Sequence, residues 1–254
     1  MVYSIVLTFF FYSFIGYISE VMYCSIGKRR FINRGFLFGP CIPIYGFGGI
    51  AISIFLTKMK SLPYASIWIF LSSGILASII EYIGSWGLEK MFGIKLWDYS
   101  KRKFNIDGRI CLRNSLLFGL MGLLAVYFIE NPLSLFLSRI SLNARRIASI
   151  ILLSLFSIDF IFSTMKMSSF RNALYEISNK ARILRCKRRH LTSVLRNKLD
   201  GEFVSYVERV RRRHRRIINS FPGATSRLDG MDESIKTLRD KERDVMERIK
   251  KLKR

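Results

Sequence analysis

Four acidic residues lie within long apolar segments, where a carboxylate is costly and therefore marks a candidate functional site. They are Glu20, Glu81, Glu89 and Asp159. Glu81, Ser85 and Glu89 follow one another at four-residue spacing, so a helix places them on one face. Each acid has two interpretations: a functional group such as an acid–base group, or a clamp that pairs with arginine or backbone groups and locks helices together. Glu89 falls near the end of its segment, which favours a structural role.

Two polar loops supply partners for these acids. The first carries Asn33 and Arg34, and the third contains the stretch WDYSKRKFNIDGRICL. In that stretch, Asp107-Gly108 predicts a hairpin turn, and the aromatic side chains suit the lipid headgroup zone. We expect a cluster of about two cations and three anions at the inner mouth of a cavity between the first three spans and the third loop. The predicted substrate-binding or structural cluster comprises Glu20, Asn33, Arg34, Glu81, Trp97, Asp98, Tyr99 and Arg109.

The second apolar segment contains several residues that break regular structure. Gly39-Pro40, Pro43 and Gly46 interrupt it. One interpretation is a kinked or late-starting membrane helix, because discontinuous helices often line binding sites in transporters. The other is an ordinary helix with a proline in its first turn, which costs little. The sequence leaves both open.

The elements that must position these residues are apolar segments long enough, or nearly so, to cross a hydrocarbon core of about 30 Å. The N-terminal one has no preceding basic residue and exceeds the length of a signal-peptide core, so we expect it to be a retained helix. The predicted fold is an all-α polytopic membrane helix bundle. Its five predicted spans are residues 2–26, 37–57, 62–88, 112–130 and 146–165.

Charge is segregated along the chain. Of the 42 Lys and Arg residues, 26 follow residue 165, and the net charge of the whole chain is +24. We therefore predict two domains, a transmembrane domain over residues 1–165 and a basic cytosolic tail over residues 166–254. The connecting loops alternate between richer and poorer in Lys and Arg. The positive-inside rule then places the N-terminus outside and the C-terminus in the cytoplasm.

The tail is predicted to be helical from Ser168 to Ser220, with apolar residues recurring at helical spacing. The stretch FPGATS breaks this pattern. A charged second helix over about 231–252 approximates a heptad seam, which predicts a helical hairpin or short coiled coil. The apolar stripe of the first tail helix comprises Leu191, Val194, Leu195, Leu199, Phe203, Tyr206, Val207 and Val210.

Six arginines occur within eight residues of the tail. Near a bilayer, such a cluster favours anionic lipid by about 1 kcal/mol per charge. Nucleic acid would bind the same charges, but the adjacent membrane makes lipid the preferred partner. A solvated face that only obeys the positive-inside rule is the alternative. The predicted anionic-lipid site comprises Arg209, Arg211, Arg212, Arg213, Arg215 and Arg216.

The sequence gives no reason to expect a cofactor. Its four cysteines, Cys24, Cys41, Cys111 and Cys186, are far apart and form no CxxC pair, so neither a metal site nor a disulfide is predicted. There is no phosphate-binding GxxxxGK[ST] loop, so the chain is not expected to bind ATP in that way.

Three blocks resemble a known family. They are FYSFIGYISEVMY, NRGFLFGPCIPIYGFG and EYIGSWGLEKMFGIKLWDYSKRKFNIDGRICLRNSLLFG. The chain is similar to bacterial membrane proteins of the putative ABC-transporter type IV, or CmpB-like, family, closely over about residues 5–125. The resemblance implies a bacterial cell membrane protein with a transport role, a putative ABC transporter permease. A permease of this kind would need a separate ATPase subunit, and five spans suggest a homodimer.

Three functions remain open from the sequence. The first is a permease component of unknown substrate. The second is a lipid-binding or lipid-modifying protein, in which Arg34 and Arg109 bind anionic oxygens and Glu20 or Asp98 is the acid–base group. The third is a non-catalytic membrane scaffold whose basic tail recruits a partner. Enzymatic activity stays open but is the less favoured interpretation, because no histidine or metal-ligand set accompanies the cluster.

Overall fold

The computed structural model describes residues 2–29, 31–187 and 193–221. The chain divides into two compact units, Met1–Met165 and Lys166–Arg254, and the boundary falls within one long helix. Helices account for nearly all of the regular structure that is described. An all-α helical fold was predicted from the sequence, and the described residues confirm it.

The first unit contains six helices and one small hairpin. A π-helical turn, Ile52–Leu56, and a 3-10 turn, Thr57–Ser61, continue the second helix, and a second π turn, Ala125–Ile129, joins the fourth helix to the fifth. The elements are α1 (Val2–Lys28), α2 (Pro43–Ala51), α3 (Ala65–Phe92), β1 (Asn105–Ile106), β2 (Ile110–Cys111), α4 (Leu112–Leu124), α5 (Glu130–Arg139) and α6 (Leu142–Lys187).

In the described part of the chain, four helices are long and apolar enough to cross a membrane. They cover the predicted first, third, fourth and fifth spans, the fourth extending to Arg139 through the second π turn. The predicted second span, residues 37–57, is not among them, because residues 31–42 are irregular and α2 begins only at Pro43. The four are Val2–Ile26, Ala65–Phe92, Leu112–Arg139 and Leu142–Ile183.

Small residues let α3 and α4 approach closely. A Cβ atom added to Gly74 would lie 2.9 Å from the backbone oxygen of Ser115, and one added to Gly119 would lie 2.8 Å from that of Phe70. The Ser78 and Ser115 hydroxyls are 2.7 Å apart across the same interface. Lipid offers no hydrophobic drive for helix association, so this close packing and hydrogen bonding hold the pair together.

The loop between α3 and α4 contains the predicted hairpin. Asn105 pairs with Cys111 and Ile106 with Ile110 in antiparallel register. Asp107 and Gly108 both have positive φ, 52° and 65°, and the Arg109 N–H donates to the Ile106 carbonyl at 2.9 Å, so these two residues are the centre of a tight turn whose twist matches that of the strands. The Asp107-Gly108 turn predicted from the sequence is therefore confirmed.

The second unit contains the last part of α6, then α7 (Ser193–Arg213) and α8 (Arg215–Ser220). Ile177, Phe203 and Val207 form its apolar cluster, against which Tyr206 and Val210 also pack. The predicted stripe on this helix is thus a packing face from Phe203 to Val210. The predicted stripe residue Leu191, the break after Phe221 and the predicted helix over 231–252 lie outside the described residues, as does the side chain of Cys186.

We predict that Gly74→Ala destabilises the first unit by about 1–3 kcal/mol, because the added methyl group meets the rigid backbone of α4. The measurement is the thermal unfolding midpoint of purified protein in one detergent. Gly87→Ala is the matched control on the same helix, because nothing lies within 4 Å of a Cβ atom at that position. Equal midpoints for the two variants would contradict the close-approach account.

Candidate functional site

Two carboxylate–phenol pairs lie where α1, α2, α3 and the loop before α4 converge. The Tyr45 hydroxyl donates to Glu20 Oε1 at 3.0 Å, and the Tyr99 hydroxyl donates to Glu81 Oε1 at 3.1 Å. Glu81 is buried, with 6 % exposure, whereas the other three residues are half-buried. We call these four residues the acidic cluster.

The two pairs form one electrostatic unit. Glu20 and Glu81 lie within electrostatic range of each other, and Tyr45 and Tyr99 each lie within range of both carboxylates. Among the described residues, no lysine or arginine forms an ion pair with Glu20 or Glu81. The acidic cluster therefore combines two acids with two neutral hydrogen-bond donors.

Tyr45 reaches Glu20 because α2 packs tightly against α1. Its ring lies over Gly16, where an added Cβ atom would come within 2.2 Å of it. A Cβ atom added to Gly46 of α2 would likewise meet Ser13 and Phe9, which lie about one and two turns before Gly16 on α1. Pro43 occupies the first turn of α2, where its missing N–H removes no helical hydrogen bond.

The irregular segment before α2 is held by Asp159 of α6. Its carboxylate accepts hydrogen bonds from the backbone N–H groups of Phe38, at 2.9 Å, and Gly39, at 2.7 Å. The Ser163 hydroxyl donates to the same side chain at 3.1 Å. Backbone groups that leave a helix at membrane depth need partners within the protein, and Asp159 supplies them.

Tyr99 is positioned by the hydrogen bonds of its loop. Its backbone N–H donates to the Gly108 carbonyl at 2.7 Å, which ties it to the hairpin. Burial, together with the charge of Glu81, raises the pKa of Tyr99 well above its ordinary value. The phenol therefore remains protonated, and a donor, throughout the physiological pH range.

The neighbouring Asp98 does not join this pair but shapes the loop. Its exposed carboxylate accepts hydrogen bonds from the hydroxyl and the backbone N–H of Ser100. These two bonds, in that order of importance, hold the pKa of Asp98 below its ordinary value. Its recorded contacts thus describe a loop-capping carboxylate.

Arg109 pairs with Glu89 at 2.7 Å. It also lies 3.4 Å from the Ser85 hydroxyl and over the Tyr82 ring, 5.6 Å from its centroid. The indole N–H of Trp97 donates to the Arg109 backbone carbonyl at 3.1 Å. Arg109 therefore secures the loop to the end of α3, and Trp97 links two parts of the loop to each other. Glu89 has the structural partner that its position suggested.

Arg34 approaches the acidic cluster through a cysteine. Its Nε donates to Cys24 Sγ at 3.0 Å, and that sulfur lies 3.9 Å from Glu20 Oε2. Asn33 is half-buried beside it in the irregular segment. The structure thus brings Glu20, Glu81 and Tyr99 together, and Cys24 lies between Arg34 and Glu20.

Sequence reasoning missed Tyr45 and Cys24. Tyr45 lies in an apolar segment rich in glycine and proline, where an aromatic residue gives no indication of a polar role. The sequence offers one hint: Gly16 lies one helical turn before Glu20 on α1, and a glycine there leaves room for a large side chain from a neighbouring helix. Of the other predicted residues, Trp97, Asp98 and Arg109 lie in the loop that carries the hairpin. Gly39 and Pro40 lie in the irregular segment, and Pro43 and Gly46 lie in α2.

The tail arginines lie on the surface of the second unit. Arg209, Arg211, Arg212, Arg213 and Arg215 are exposed, and Arg216 is half-buried. Between them, His214 is buried against Phe170, with ring centroids 5.3 Å apart, and this burial lowers the pKa of His214. The exposed guanidinium groups form a basic surface on the last turns of α7 and the start of α8.

The fold and the intramembrane acids define a multi-pass helical membrane protein. The family model described as putative ABC-transporter type IV matches residues 7–164. The chain belongs to that family, as the motif blocks predicted. Searches of curated proteins and of solved structures found no match.

We predict that Tyr99→Phe lowers the free energy of unfolding by about 1–3 kcal/mol, because it leaves the buried Glu81 without its donor. Because the folded pKa of Tyr99 is raised, the wild-type bond contributes fully below the ordinary tyrosine pKa of about 10 and weakens only at higher pH. Denaturation at neutral pH measures the loss. Tyr23→Phe is the control, since Tyr23 is 73 % exposed, and an equal effect there would contradict the assignment.

Proposed function

We propose that the protein is a permease component of a transporter and that the acidic cluster is its substrate site, selective for small organic cations. The observation that carries the proposal is the pairing of two carboxylates, Glu20 and Glu81, with phenol donors rather than with arginine. A cation entering between the two acids would supply the charge that the site lacks. The phenols would orient it through their oxygens.

The irregular segment before α2 supports this assignment. Transporter sites near the middle of the membrane often use interrupted helices, because unwound backbone offers groups for a ligand. Here the interruption ends at Pro43, two residues before Tyr45. The substrate site thus adjoins the place where the chain departs from regular helix.

We infer that the run Pro43–Ser61 is a fifth crossing. The contacts of α1 with α2 pair Gly16 with Tyr45 and Tyr12 with Gly49, an antiparallel register. On the α3 side, Ile44 lies against Gly84 and Leu56 packs with Ile69, again antiparallel. Successive antiparallel packing of α1, this run and α3 is what five crossings require.

With five crossings, the distribution of Lys and Arg places the N-terminus outside and the tail, residues 166–254, in the cytosol of a bacterial cell. The acidic cluster then opens toward the cytosol. The chain would work with a separate ATPase subunit, docked on the α3–α4 loop or the tail, and as a homodimer. Neither a cofactor nor an enzymatic activity is part of the proposal.

The cation site can be tested by ligand-induced stabilisation. Choline, spermidine and tetramethylammonium are expected to raise the unfolding midpoint of the wild type, and the sodium salts of glutamate and citrate are not. The double variant Glu20→Gln/Glu81→Gln should lose the cation response, while Glu202→Gln, an exposed acid of α7, should keep it. Stabilisation by anions, or the same cation response in the double variant, would overturn the proposal.

Purification in mild detergent with mass spectrometry then asks whether an ATP-binding subunit accompanies the chain.

We propose separately that the tail binds anionic lipid. The exposed arginines of α7 and α8 support this, since each adds electrostatic attraction to an anionic surface. The same observation favours a scaffold or lipid-binding protein as the second candidate function. An alternative in which the arginines are only solvated predicts no preference for lipid charge.

The lipid proposal predicts that full-length protein retains phosphatidylglycerol over phosphatidylcholine in native mass spectrometry. Arg211→Gln/Arg212→Gln/Arg213→Gln should retain several-fold less, and the matching triple lysine variant should retain most of it. Digestion of the tail by protease in inside-out vesicles, but not in intact cells, checks that it lies on the cytosolic side. Retention that ignores these substitutions, or a tail digested from outside, would contradict the proposal.

A further inference from the structure

An open groove runs along the first unit between α3, α4 and the hairpin. Its volume is about 410 Å³, within the range of about 300–1,000 Å³ that ligand sites in proteins occupy. One wall is a row of isoleucines on α3 at four-residue spacing, which a helix places on one face. The walls include Ile75, Ile79 and Ile83 of α3, Ile106 and Ile110 of the hairpin, and Ser115 of α4.

The few polar groups in the groove already have partners. The Ser78 and Ser115 hydroxyls lie 2.7 Å apart, and each is also within hydrogen-bond distance of a backbone carbonyl four residues earlier in the chain. At the hairpin end, the Tyr82 hydroxyl donates to the Asp107 carboxylate at 2.7 Å. The groove therefore offers an occupant almost only hydrocarbon surface, which suits an acyl chain better than a polar solute.

The groove extends from the hydrocarbon core to the level of the lipid head groups. Both helices that form it are long and apolar enough to cross a membrane, and the isoleucine row of α3 is exposed. One turn beyond Ile83, the exposed Trp86 has the Lys90 ammonium 4.9 Å from its ring centroid. Tryptophan beside lysine at the end of a membrane helix is typical of the membrane–water interface. The hairpin end of the groove thus lies at that interface.

Three consecutive cations precede the strand that borders this end of the groove. Lys101, Arg102 and Lys103, which we call the cationic turn, are all exposed, and no ion pair to any of them is recorded among the described residues. The side-chain amide of Asn105 donates to the Arg102 carbonyl at 2.7 Å, which fixes the turn to β1. The next residue of β1, Ile106, lines the groove. Basic groups at this level of a membrane protein bind anionic lipid head groups.

Several other charged groups of the same loop have partners within the protein. Arg109 pairs with Glu89, and Lys95 donates to the Asp107 carbonyl at 3.1 Å. Asp98 lies within electrostatic range of the cationic turn, but its carboxylate accepts hydrogen bonds within its own loop. The cationic turn is therefore the part of this loop that is available to an external anion.

A second copy of the chain suits the groove less well than a lipid does. Most dimers are two-fold symmetric and bring the same surface of both copies together. A dimer formed over this groove would place two cationic turns side by side at one depth, and like charges across an interface oppose association. An anionic lipid complements the turn and fills the groove with the same molecule.

We propose that the groove and the cationic turn together form a binding site for one anionic glycerophospholipid. The head-group phosphate binds the cationic turn, and an acyl chain lies in the groove along the isoleucine row of α3. Leaving the bilayer for the groove gives an acyl chain little hydrophobic gain, so the charge of the head group selects the lipid. The site consists of residues of the first unit alone. It depends neither on transport nor on the arginines of α7 and α8.

The test is photo-crosslinking of the full chain in phosphatidylcholine nanodiscs that contain a trace of phosphatidylglycerol with a diazirine in one acyl chain. Mass spectrometry then locates the labelled residues. Labelling is expected to concentrate on the groove, several-fold above the exposed Ile151 and Ile158 of α6. Ile79→Trp fills the groove and should reduce this labelling several-fold. Leu71→Trp is the matched control, because Leu71 lies on the same helix outside the groove and is 46 % exposed, against 49 % for Ile79.

The head-group contact is tested with a diazirine-bearing phosphatidylcholine as the second probe, which should label the groove several-fold less. Lys101→Gln/Arg102→Gln/Lys103→Gln should lower labelling by the phosphatidylglycerol probe to the level of the phosphatidylcholine probe. The tail variant Arg211→Gln/Arg212→Gln/Arg213→Gln should leave groove labelling unchanged. This comparison separates the groove site from lipid binding by the tail.

Four results would overturn the proposal. They are labelling spread evenly over the exposed residues of all the membrane helices, equal groove labelling by the two probes, unchanged labelling in the cationic-turn variant, and a dimer in which a second copy shields the groove from both probes. Should Ile79→Trp lose its monodisperse elution profile, the cationic-turn variant decides alone, because its three substitutions are at exposed positions of a loop.

Discussion

The arrangement of the first unit depends on one requirement, that backbone groups outside a helix must find partners when no water is available. The chain leaves α1 and runs through an irregular segment before α2 begins at Pro43. Asp159 accepts the N–H groups of Phe38 and Gly39 there. Its charge is thereby stabilised by two backbone donors and the segment is held in place. The segment held in this way leads directly into α2, whose Tyr45 donates to Glu20.

Close helix approach then decides which polar groups meet. Where α2 packs on α1, glycine lets Tyr45 and Tyr12 lie flat against the opposite backbone, and each phenol reaches an acid beyond it. The α1–α2 interface therefore directs a phenol to a carboxylate at each of two depths, Tyr45 to Glu20 of α1 and Tyr12 to Glu130 of α5. Neutral donors can stabilise a carboxylate without neutralising it, so both pairs are held by hydrogen bonds from phenols.

The predicted polar cluster is divided in the structure into parts with different roles. Glu20, Glu81 and Tyr99 meet, but Arg109 pairs with Glu89, and Asp98 caps its own loop. Loop sequence indicated which side chains were available near this end of the bundle. It could not indicate their pairing, since residues ten apart in a loop reach several helices equally well. The hairpin register, by tying Tyr99 to Gly108, selects the partner of Glu81.

The sequence by itself determined the helical class, the four helices that are long and apolar enough to cross a membrane, the Asp107-Gly108 turn and the family, because these follow from local hydrophobicity, turn chemistry and long motif blocks. It also identified three of the four residues of the acidic cluster. Only the tertiary structure decided that Tyr45 completes that cluster, that Asp159 holds the irregular segment, and that Tyr12 reaches Glu130, 118 residues away. These contacts join side chains that are distant in the chain, and their geometry depends on how closely the glycine-containing helices pack.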